Sequence, residues 1–191
     1  MLKKVKYKVK LKLAKWLSIG PTMYYGFKSL KGEKLPLTRI SNTTYIDSLE
    51  KLDISNNVFI GHFNFIDASN GLKIATGCQI TNYVSILTHS SHNAIRLYGH
   101  NYPKIADKIG YNKAPVAIGA FTFIGPHTLI MPGTNIGKGS IVQAYSLVKG
   151  SFEDFAIIGG NPAKKIGDTR ELDAKYLEEH PQLKEHYNSW N

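Results

Sequence analysis

Cysteine is almost absent from this chain of 191 residues. Cys78 is the single one, so an intramolecular disulfide framework is excluded. Uninterrupted apolar runs of membrane-spanning length are missing as well, and lysines interrupt every early stretch that could serve as the apolar part of a signal peptide. These absences argue against a disulfide-stabilised secreted domain, and they predict a protein that stays in the cytoplasm.

Acidic residues are scarce in the first part of the chain, where the net charge of +10 is concentrated. Residues 1–39 contain eleven lysines or arginines against Glu33 alone, and the remainder is neutral overall. Apolar residues from Leu2 to Leu17 recur at helical spacing, although an alternation over 5–13 also suits a strand. We favour a helix that either rests on the inner face of an anionic membrane or caps the fold. Nucleic acid is not an expected partner, because no binding motif accompanies the charge.

What the sequence does contain is a period of six. Aliphatic residues follow one another at that spacing, namely Ile118, Ile124, Ile130, Ile136, Val142 and Val148. Four places after each of the first five is a small hydroxyl residue, namely Thr122, Thr128, Thr134, Ser140 and Ser146. Neither an amphipathic helix nor an ordinary strand has this period. It is typical of a parallel β-helix, in which a short strand and a corner use six residues and three sides close a coil of about eighteen.

Each position of the repeat has a predicted role. The aliphatic residue points into the interior, and the small residue fills a crowded corner where its hydroxyl bonds to backbone. Cys78 stands four places after Ile74 and is expected to occupy the same kind of corner. Glycines that suit such corners by accepting positive φ are Gly119, Gly125, Gly133, Gly137 and Gly139.

A weaker form of the period precedes the regular run, beginning at Ile40, with slips of two residues before Ile54 and before Ile74. The pattern disappears over 92–115, which predicts a loop thrown out from one corner, where function is often located. Asp168 or Thr169 is expected to cap a helix near the end of the chain. The predicted units are a basic and helical N-terminal extension (1–39), a β-helix (40–167) with its loop (92–115), and a C-terminal helical tail (168–191).

Four segments then carry a family resemblance: F-I-G at 123–125, I-M-P-G-T-N-I-G at 130–137, S-L-V-K at 146–149 and G-G-N-P-A-K at 159–164. Over residues 54–167 the sequence resembles the left-handed β-helix acyltransferases of the hexapeptide-repeat class. More narrowly, it resembles galactoside and maltose acetyltransferases and the O-acetyltransferases of bacterial surface polysaccharides. The resemblance implies an all-β solenoid, a left-handed parallel β-helix with a protruding loop and short helical flanks. Its handedness is an exception to the usual right-handed crossover.

Two histidines stand where the repeat meets the loop, in the segment T-H-S-S-H at 88–92. A histidine at this point is anchored by the scaffold yet exposed, which suits a general base near neutral pH. In the family pattern the catalytic histidine begins a short stretch that ends in Leu-Arg before the loop. Counting back from Arg96, the resemblance gives this role to His89. Because Thr88 and Ser90 replace the usual small residue and proline, His92 is the alternative.

The resemblance also implies binding roles. His62 and Asn64 are expected to contact the acceptor, with Asp67 and Arg96 as lesser candidates. The donor is acetyl-CoA, and no metal is expected. The residues placed beside the pantetheine arm are Phe123, Pro126, Ala144 and Lys149, and those placed near the phosphates are Lys164 and Lys165.

The predicted function is acetyl transfer from acetyl-CoA to a sugar hydroxyl in surface polysaccharide biosynthesis, by a homotrimer with its sites at subunit boundaries. Alternatives are another small acceptor, such as an amino sugar, serine or a xenobiotic, and a non-catalytic scaffold. A γ-class carbonic anhydrase is a weaker alternative, because its zinc ligands include a pair of histidines five apart and this chain has no such pair.

Overall fold

The computed structural model describes residues 17, 20–29 and 32–191, which form a three-sided solenoid of short strands. Up to the start of the loop the strands are β1 (Met23–Lys28), β2 (Lys34–Ser41), β3 (Tyr45–Asp47), β4 (Leu52–Ile54), β5 (Phe59–Ile60), β6 (Phe65–Asp67), β7 (Leu72–Ile74), β8 (Gln79–Ile80), β9 (Ser85–Ile86) and β10 (His89–Ser90). The later strands are β11 (Asn112–Lys113), β12 (Val116–Ile118), β13 (Phe123–Ile124), β14 (Leu129–Ile130), β15 (Asn135–Ile136), β16 (Ile141–Val142), β17 (Leu147–Val148), β18 (Ser151–Phe152), β19 (Ala156–Gly160) and β20 (Ala163–Asp168). The helices are α1 (Ala94–Tyr98), α2 (Thr169–Glu179) and α3 (Lys184–Asn188), with 3-10 turns at Leu49–Lys51, Gly99–Lys104 and Pro181–Leu183.

Three sheets form the three faces of the solenoid. The first has the order β1-β2-β5-β8-β13-β16-β19-β20, the second β17-β14-β9-β6-β3, and the third β18-β15-β12-β7-β4. Strands within a face pair in parallel, except that β1 and β20 add antiparallel strands at the two ends of the first face. Ile80 pairs with Ile124, and Ile124 with Val142, so equivalent residues of successive coils lie directly above one another.

The interior is the ladder that the period of six predicts. All six aliphatic residues from Ile118 to Val148 are at most 1% exposed, and the five hydroxyl residues that follow them are at most 2% exposed. The hydroxyl of Thr128 donates to the carbonyl of Gly125 at 2.8 Å, so the corner supplies its own polar partner. Burying each aliphatic rung contributes roughly 1.5–3 kcal/mol before chain entropy is counted. Both roles predicted for the repeat are therefore confirmed.

The three faces of the solenoid meet at three corners. The loop corner consists of 68–71, 87–91, 131–134 and 149–150, and the loop leaves the scaffold there. The aromatic corner consists of 61–64, 81–84, 125–128 and 143–146. The tail corner consists of 55–58, 75–78, 119–122, 137–140 and 153–155.

Corner glycines are required for two different reasons. Gly133 and Gly139 have φ of +78° and +65°, as expected. Gly119, Gly125 and Gly137 are not among the residues with positive φ, so the expected reason is wrong at these three. A Cβ at Gly119 would lie 2.4 Å from a backbone nitrogen of the next coil. Close stacking of the coils, rather than a left-handed backbone, therefore requires glycine there.

The helix expected over 1–39 is wrong for the part of that segment that the structure describes. β1 and β2 form an antiparallel hairpin, and Ile40 of β2 pairs in parallel with Ile60. The physical reason is that the first coil offers an open sheet edge whose backbone groups need partners, and an extended segment supplies them. The β-helix thus includes β2. The apolar stripe predicted to be helical lies, apart from Leu17, outside the described residues.

The loop and the tail both contain helices. The loop holds α1 and a 3-10 turn and is closed at its base by antiparallel pairing of β10 with β11. In the tail, Asp168 caps α2 by accepting a hydrogen bond from the backbone N–H of Arg170 at 3.0 Å. Trp190 packs on Phe121 at the tail corner, with ring centroids 4.6 Å apart. Within the described ranges, no helix is both long and apolar enough to cross a membrane.

Candidate active site

The loop corner holds a histidine against a buried carboxylate. Nδ1 of His89, at the start of β10, lies 2.7 Å from Oδ2 of Asp67 at the end of β6. The side chain of His89 is 38% exposed, whereas that of Asp67 is 1% exposed. When Nδ1–H donates to the carboxylate, Nε2 keeps its lone pair. This is the tautomer that a general base requires.

Asp67 is held in its ionised form by its neighbours. The backbone N–H and the hydroxyl of Thr88 both donate to Oδ2 at 2.9 Å, and the backbone N–H of Ser69 donates to Oδ1 at 2.8 Å. Burial raises the pKa of this carboxyl, but the hydrogen bonds from Ser69 and Thr88 outweigh burial and hold the pKa well below its ordinary value. A charged acceptor therefore faces the imidazole.

Sequence reasoning ranked Asp67 only as a lesser acceptor contact and missed its place beside His89. The available signal was the register of the ladder. Asp67 directly follows Ile66, His89 comes three residues after Ile86, and these two isoleucines pair in successive coils. Residues so close to paired ladder positions reach the same corner, one coil apart.

His92 occupies a different environment in the same segment. Its side chain is exposed, and its Nδ1 lies 2.7 Å from the hydroxyl oxygen of Ser90. Arg96 donates to the carbonyl of His92 and, at 2.7 Å, to the side chain of Asn93, so its guanidinium binds the beginning of the loop itself. Among the described residues, His89 is the histidine that pairs with a carboxylate.

Two clefts adjoin this corner and share Tyr111, which stacks on His89 with ring centroids 5.8 Å apart and an interplanar angle of 11°. The scaffold cleft has a volume of about 450 Å³ and is lined by Ser90, His92, Tyr111, Asn112, Lys113, Ala114, Met131, Pro132 and Lys149. The loop cleft has a volume of about 510 Å³ and is lined by Tyr102, Ala106, Asp107, Lys108, Ile109, Tyr111 and Lys113. Lys149, predicted to contact coenzyme A, thus lies in a cleft beside the histidine.

Most of the other predicted binding residues lie elsewhere. His62, Asn64, Pro126 and Ala144 belong to the aromatic corner, and Phe123 lies on the first face with 39% of its surface exposed. Because the aromatic corner and the loop corner are different edges of the solenoid, one chain does not bring these residues to His89. A shared site would need a second copy of the chain.

The two predicted acceptor contacts of the aromatic corner are already engaged. Nδ1 of His62 lies 2.6 Å from the hydroxyl oxygen of Ser41. Asn64 is buried, accepts a hydrogen bond from the N–H of Val84 at 2.7 Å and donates one to the carbonyl of Thr81 at 2.9 Å. Its amide therefore joins two coils.

The two lysines predicted to meet phosphates differ. The ammonium of Lys165 donates to the carboxylate of Glu153 and lies 3.9 Å from that of Asp168, and the hydrogen bond to Glu153 raises the pKa of Lys165. Lys164 is exposed on β20 and has no carboxylate within ion-pair distance among the residues described. Lys164 is the better placed of the two to meet an anion.

Over the ranges that the structure describes, no three histidine, cysteine, aspartate or glutamate residues lie close enough together to hold a metal ion. The thiol of Cys78 is buried at the tail corner and donates to the carbonyl of Gly119 at 3.0 Å, and burial raises its pKa to about 11. Its position is the small-residue corner that the sequence predicts.

Comparison with known proteins finds that the chain is similar to acetyltransferases of the hexapeptide-repeat family, whose fold is the left-handed β-helix. It is 49% identical over 49 residues to chloramphenicol acetyltransferase of Klebsiella aerogenes, covering 26% of this chain and 23% of that protein. It is 30% identical over 117 residues to WbbJ of Escherichia coli K12, named for O-acetyl transfer in lipopolysaccharide biosynthesis, covering 59% and 58% of the two chains.

These matches leave much of each relative unaligned, since the chain spans about a quarter of the chloramphenicol acetyltransferases and somewhat over half of WbbJ. No protein-family model matches the chain. Among solved structures, a variant of the N-acyltransferase AntD from Bacillus cereus, in complex with dTDP and coenzyme A, is 25% identical with a TM-score of 0.57. That match covers 74% of this chain and 88% of AntD. A maltose O-acetyltransferase from Clostridium difficile 630, 20% identical with a TM-score of 0.55 over 66% of this chain and 64% of its own, shares the fold.

Proposed function

We propose that this chain is an acetyl-CoA-dependent acetyltransferase that modifies a sugar hydroxyl in surface polysaccharide biosynthesis. The observation that carries the proposal is the 2.7 Å contact between His89 and the buried Asp67 at an open corner beside a cleft. Two findings from the relatives support it. Chloramphenicol acetyltransferase and WbbJ are named for acetyl transfer, and the AntD structure contains coenzyme A.

In the proposed step, Nε2 of His89 accepts the proton of the acceptor hydroxyl while the hydroxyl oxygen attacks the thioester carbonyl carbon. The tetrahedral intermediate then collapses, the C–S bond breaks, and His89 returns the proton to the departing thiolate of coenzyme A. Proton transfer by a positioned base contributes about 10²–10⁴-fold, and holding both substrates together supplies further acceleration.

Asp67 acts as a positioning residue in this proposal. Its carboxylate keeps the imidazole in the tautomer with the proton on Nδ1 and stabilises the imidazolium that forms during transfer. Thr88 and Ser69 keep the carboxylate ionised and in place through the hydrogen bonds described above. His92, which pairs with a hydroxyl, lacks this support and is the second candidate for the base.

The substrate contacts divide between the two corners. We expect the pantetheine arm to lie against Phe123, Pro126, Ala144 and Lys149 and the phosphates near Lys164, as a point-charge contact, with Lys165 contributing less because it pairs with Glu153. His62 and Arg96 are the proposed acceptor contacts. Since these residues do not meet within one chain, we propose a homotrimer with its sites at the subunit boundaries.

Two further parts of the proposal concern the setting and the acceptor. The basic segment 1–39 is proposed to hold a cytoplasmic enzyme at an anionic membrane surface. Transfer to the amino group of an amino sugar is a second candidate reaction, favoured by the similarity to the N-acyltransferase AntD. The same histidine–carboxylate pair would serve either acceptor.

The test is an acceptor screen with acetyl-CoA that reads the release of free thiol. Wild type is compared with His89→Ala and His92→Ala, and alkaline lability of the product distinguishes an ester from an amide. We expect His89→Ala to lower kcat/KM by about 10²–10⁴-fold and His92→Ala to retain most activity. Near-full turnover by the His89 variant would show that the base is assigned wrongly.

A further inference from the structure

The loop that forms the loop cleft carries a net positive charge that the rest of residues 40–191 does not. Residues 92–115 contain four lysines or arginines against Asp107, a net charge of +3, whereas residues 40–191 as a whole are neutral. Two of these cations, Lys108 and Lys113, line the cleft together with Asp107, Tyr102 and Tyr111, so the lining carries one net positive charge. A cavity with this lining favours an anionic ligand that also has a flat ring or a sugar to lie on the tyrosines.

The two lysines have charge to offer such a ligand. Their ammonium groups lie over aromatic rings, with Nζ of Lys108 4.6 Å from the centroid of Tyr102 and Nζ of Lys113 5.2 Å from that of Tyr111. Among the described residues, neither has a carboxylate within ion-pair distance. The ammonium of Lys108 also donates to the carbonyl of Ile105, which leaves two of its three N–H donors.

The cleft lies next to the proposed base. Lys113 is directly opposite His89 in the β10–β11 pair, and Tyr111 stacks on the imidazole of His89. Burial raises the pKa of Tyr111, as do Tyr102 and Asp67 nearby, so its hydroxyl stays a neutral donor. An anion held here would place the group attached to it at the reacting nitrogen.

We propose, resting on the acetyltransferase function proposed above, that the loop cleft binds the diphosphate of an acceptor in which a sugar is linked to that diphosphate. Lys108 and Lys113 bind the phosphate oxygens, and Tyr111, which lines the cleft and stacks on His89, connects the cleft with the base. The diphosphate can belong to a nucleoside diphosphate sugar or to a lipid diphosphate sugar. In the first case the base can stack on the face of Tyr102 that Lys108 leaves uncovered.

The experiment measures binding of uridine diphosphate, inorganic pyrophosphate and uridine to the full chain by titration calorimetry. Lys108→Gln and Lys113→Gln are compared with Lys104→Gln, a matched control that loses the same charge from the same loop but does not line the cleft. We expect each cleft variant to weaken uridine diphosphate binding roughly tenfold, since each removes a charged hydrogen-bond donor. The control should bind as wild type does, and added salt should weaken wild-type binding.

The diphosphate probes distinguish an acceptor sugar linked to a nucleoside diphosphate from one linked to a lipid diphosphate. Tighter binding of uridine diphosphate than of pyrophosphate supports a nucleotide-linked sugar, and equal binding of the two supports a lipid-linked one. If coenzyme A competes with uridine diphosphate and the cleft variants weaken coenzyme A equally, the cleft belongs to the donor and the proposal is overturned. If wild type binds coenzyme A but neither diphosphate probe, the acceptor class is wrong while the proposed function stands. Failure to bind coenzyme A counts against the proposed function instead.

Discussion

The loop corner and the aromatic corner are made by the same coils, yet they place their histidines in different surroundings. At the aromatic corner, Phe63, Tyr83, His127 and Tyr145 stack in that order on successive coils, with centroid separations of 5.2, 4.8 and 4.7 Å. All four have φ between +57° and +61°. The loop corner has no such column beside His89. The imidazole of His89 contacts the buried carboxylate of Asp67 on the preceding coil instead.

This difference shows how a repeating scaffold obtains a reactive group. A ring in a regular column stacks on the rings of the coils above and below. Both of its faces are then in contact with similar rings, and neither is left for a substrate. Left-handed φ in residues with a side chain costs about 1–3 kcal/mol. Aromatic stacking at 4.5–7 Å offsets part of that cost. At the loop corner the repeat is interrupted by the loop, and two clefts lie between the loop and the scaffold or within the loop.

The largest expected effect is on catalysis by the two histidines. His89→Gln should lower kcat/KM by about 10²–10⁴-fold, because the base is lost, whereas His127→Gln should leave it nearly unchanged. Both variants are measured by thiol release with acetyl-CoA at equal folded concentration. An equal loss in the two variants would show that both corners contribute equally to catalysis.

The next effect concerns the carboxylate. Asp67→Asn should lower kcat on the order of a hundredfold with little change in KM, because an amide no longer fixes the imidazole tautomer or stabilises its charge. Asp47→Asn is the control, since Asp47 pairs with Asp67 one coil earlier in the same column. A rise in KM without a change in kcat would contradict a positioning role and favour a direct acceptor contact.

A smaller effect is expected from the amide of the aromatic corner. Asn64→Ala should lower the free energy of unfolding by about 1–3 kcal/mol, because the N–H of Val84 and the carbonyl of Thr81 lose a buried partner. Urea unfolding measures this loss, and the exposed Asn135 of β15, changed to Ala, is the control. A rise in the acceptor KM without a loss of stability would restore Asn64 as an acceptor contact.

The aromatic column should contribute less for each stacked pair. Tyr83 stacks on both Phe63 and His127, whereas Tyr145 stacks on His127. Tyr83→Ala should therefore lose about 0.5–1.5 kcal/mol for each stacked pair, and Tyr145→Ala should lose less. Thermal or urea unfolding of the two variants compares them. Equal losses would show that stacking between coils does not stabilise the corner.

The smallest effect is on acid stability. The pKa of Asp67 is lower in the folded chain than in the unfolded one, so the unfolded chain binds more protons in acid. The contribution of Asp67 is present above the ordinary carboxyl pKa of about 3.9 and is lost as the pH falls below it. Urea midpoints between pH 7 and pH 3 should fall less steeply for Asp67→Asn than for wild type. Parallel curves would contradict this.

Much of the scaffold could be predicted because it repeats. The spacing of Ile118 to Val148 and of the hydroxyl residues after them states which side chains enter the interior, and their burial agrees. The position of the loop after His89 could be predicted for the same reason, since the absence of the period over 92–115 is evident in the sequence. The hairpin of β1 and β2 could not be predicted in this way, because almost all of it precedes the period, which begins at Ile40, and its pairing with the first coil is a tertiary contact.

The sequence by itself determined the period, the small corner residues and the place where the loop leaves. These features depend on contacts between equivalent positions of successive coils, and the spacing of six in the sequence identifies those positions. Only the tertiary structure decided that Asp67 supports His89 and that Gly119 meets the next backbone. It also decided that the predicted binding residues divide between two corners. The reason is that these contacts join non-equivalent positions on successive coils, and their direction depends on how each corner turns.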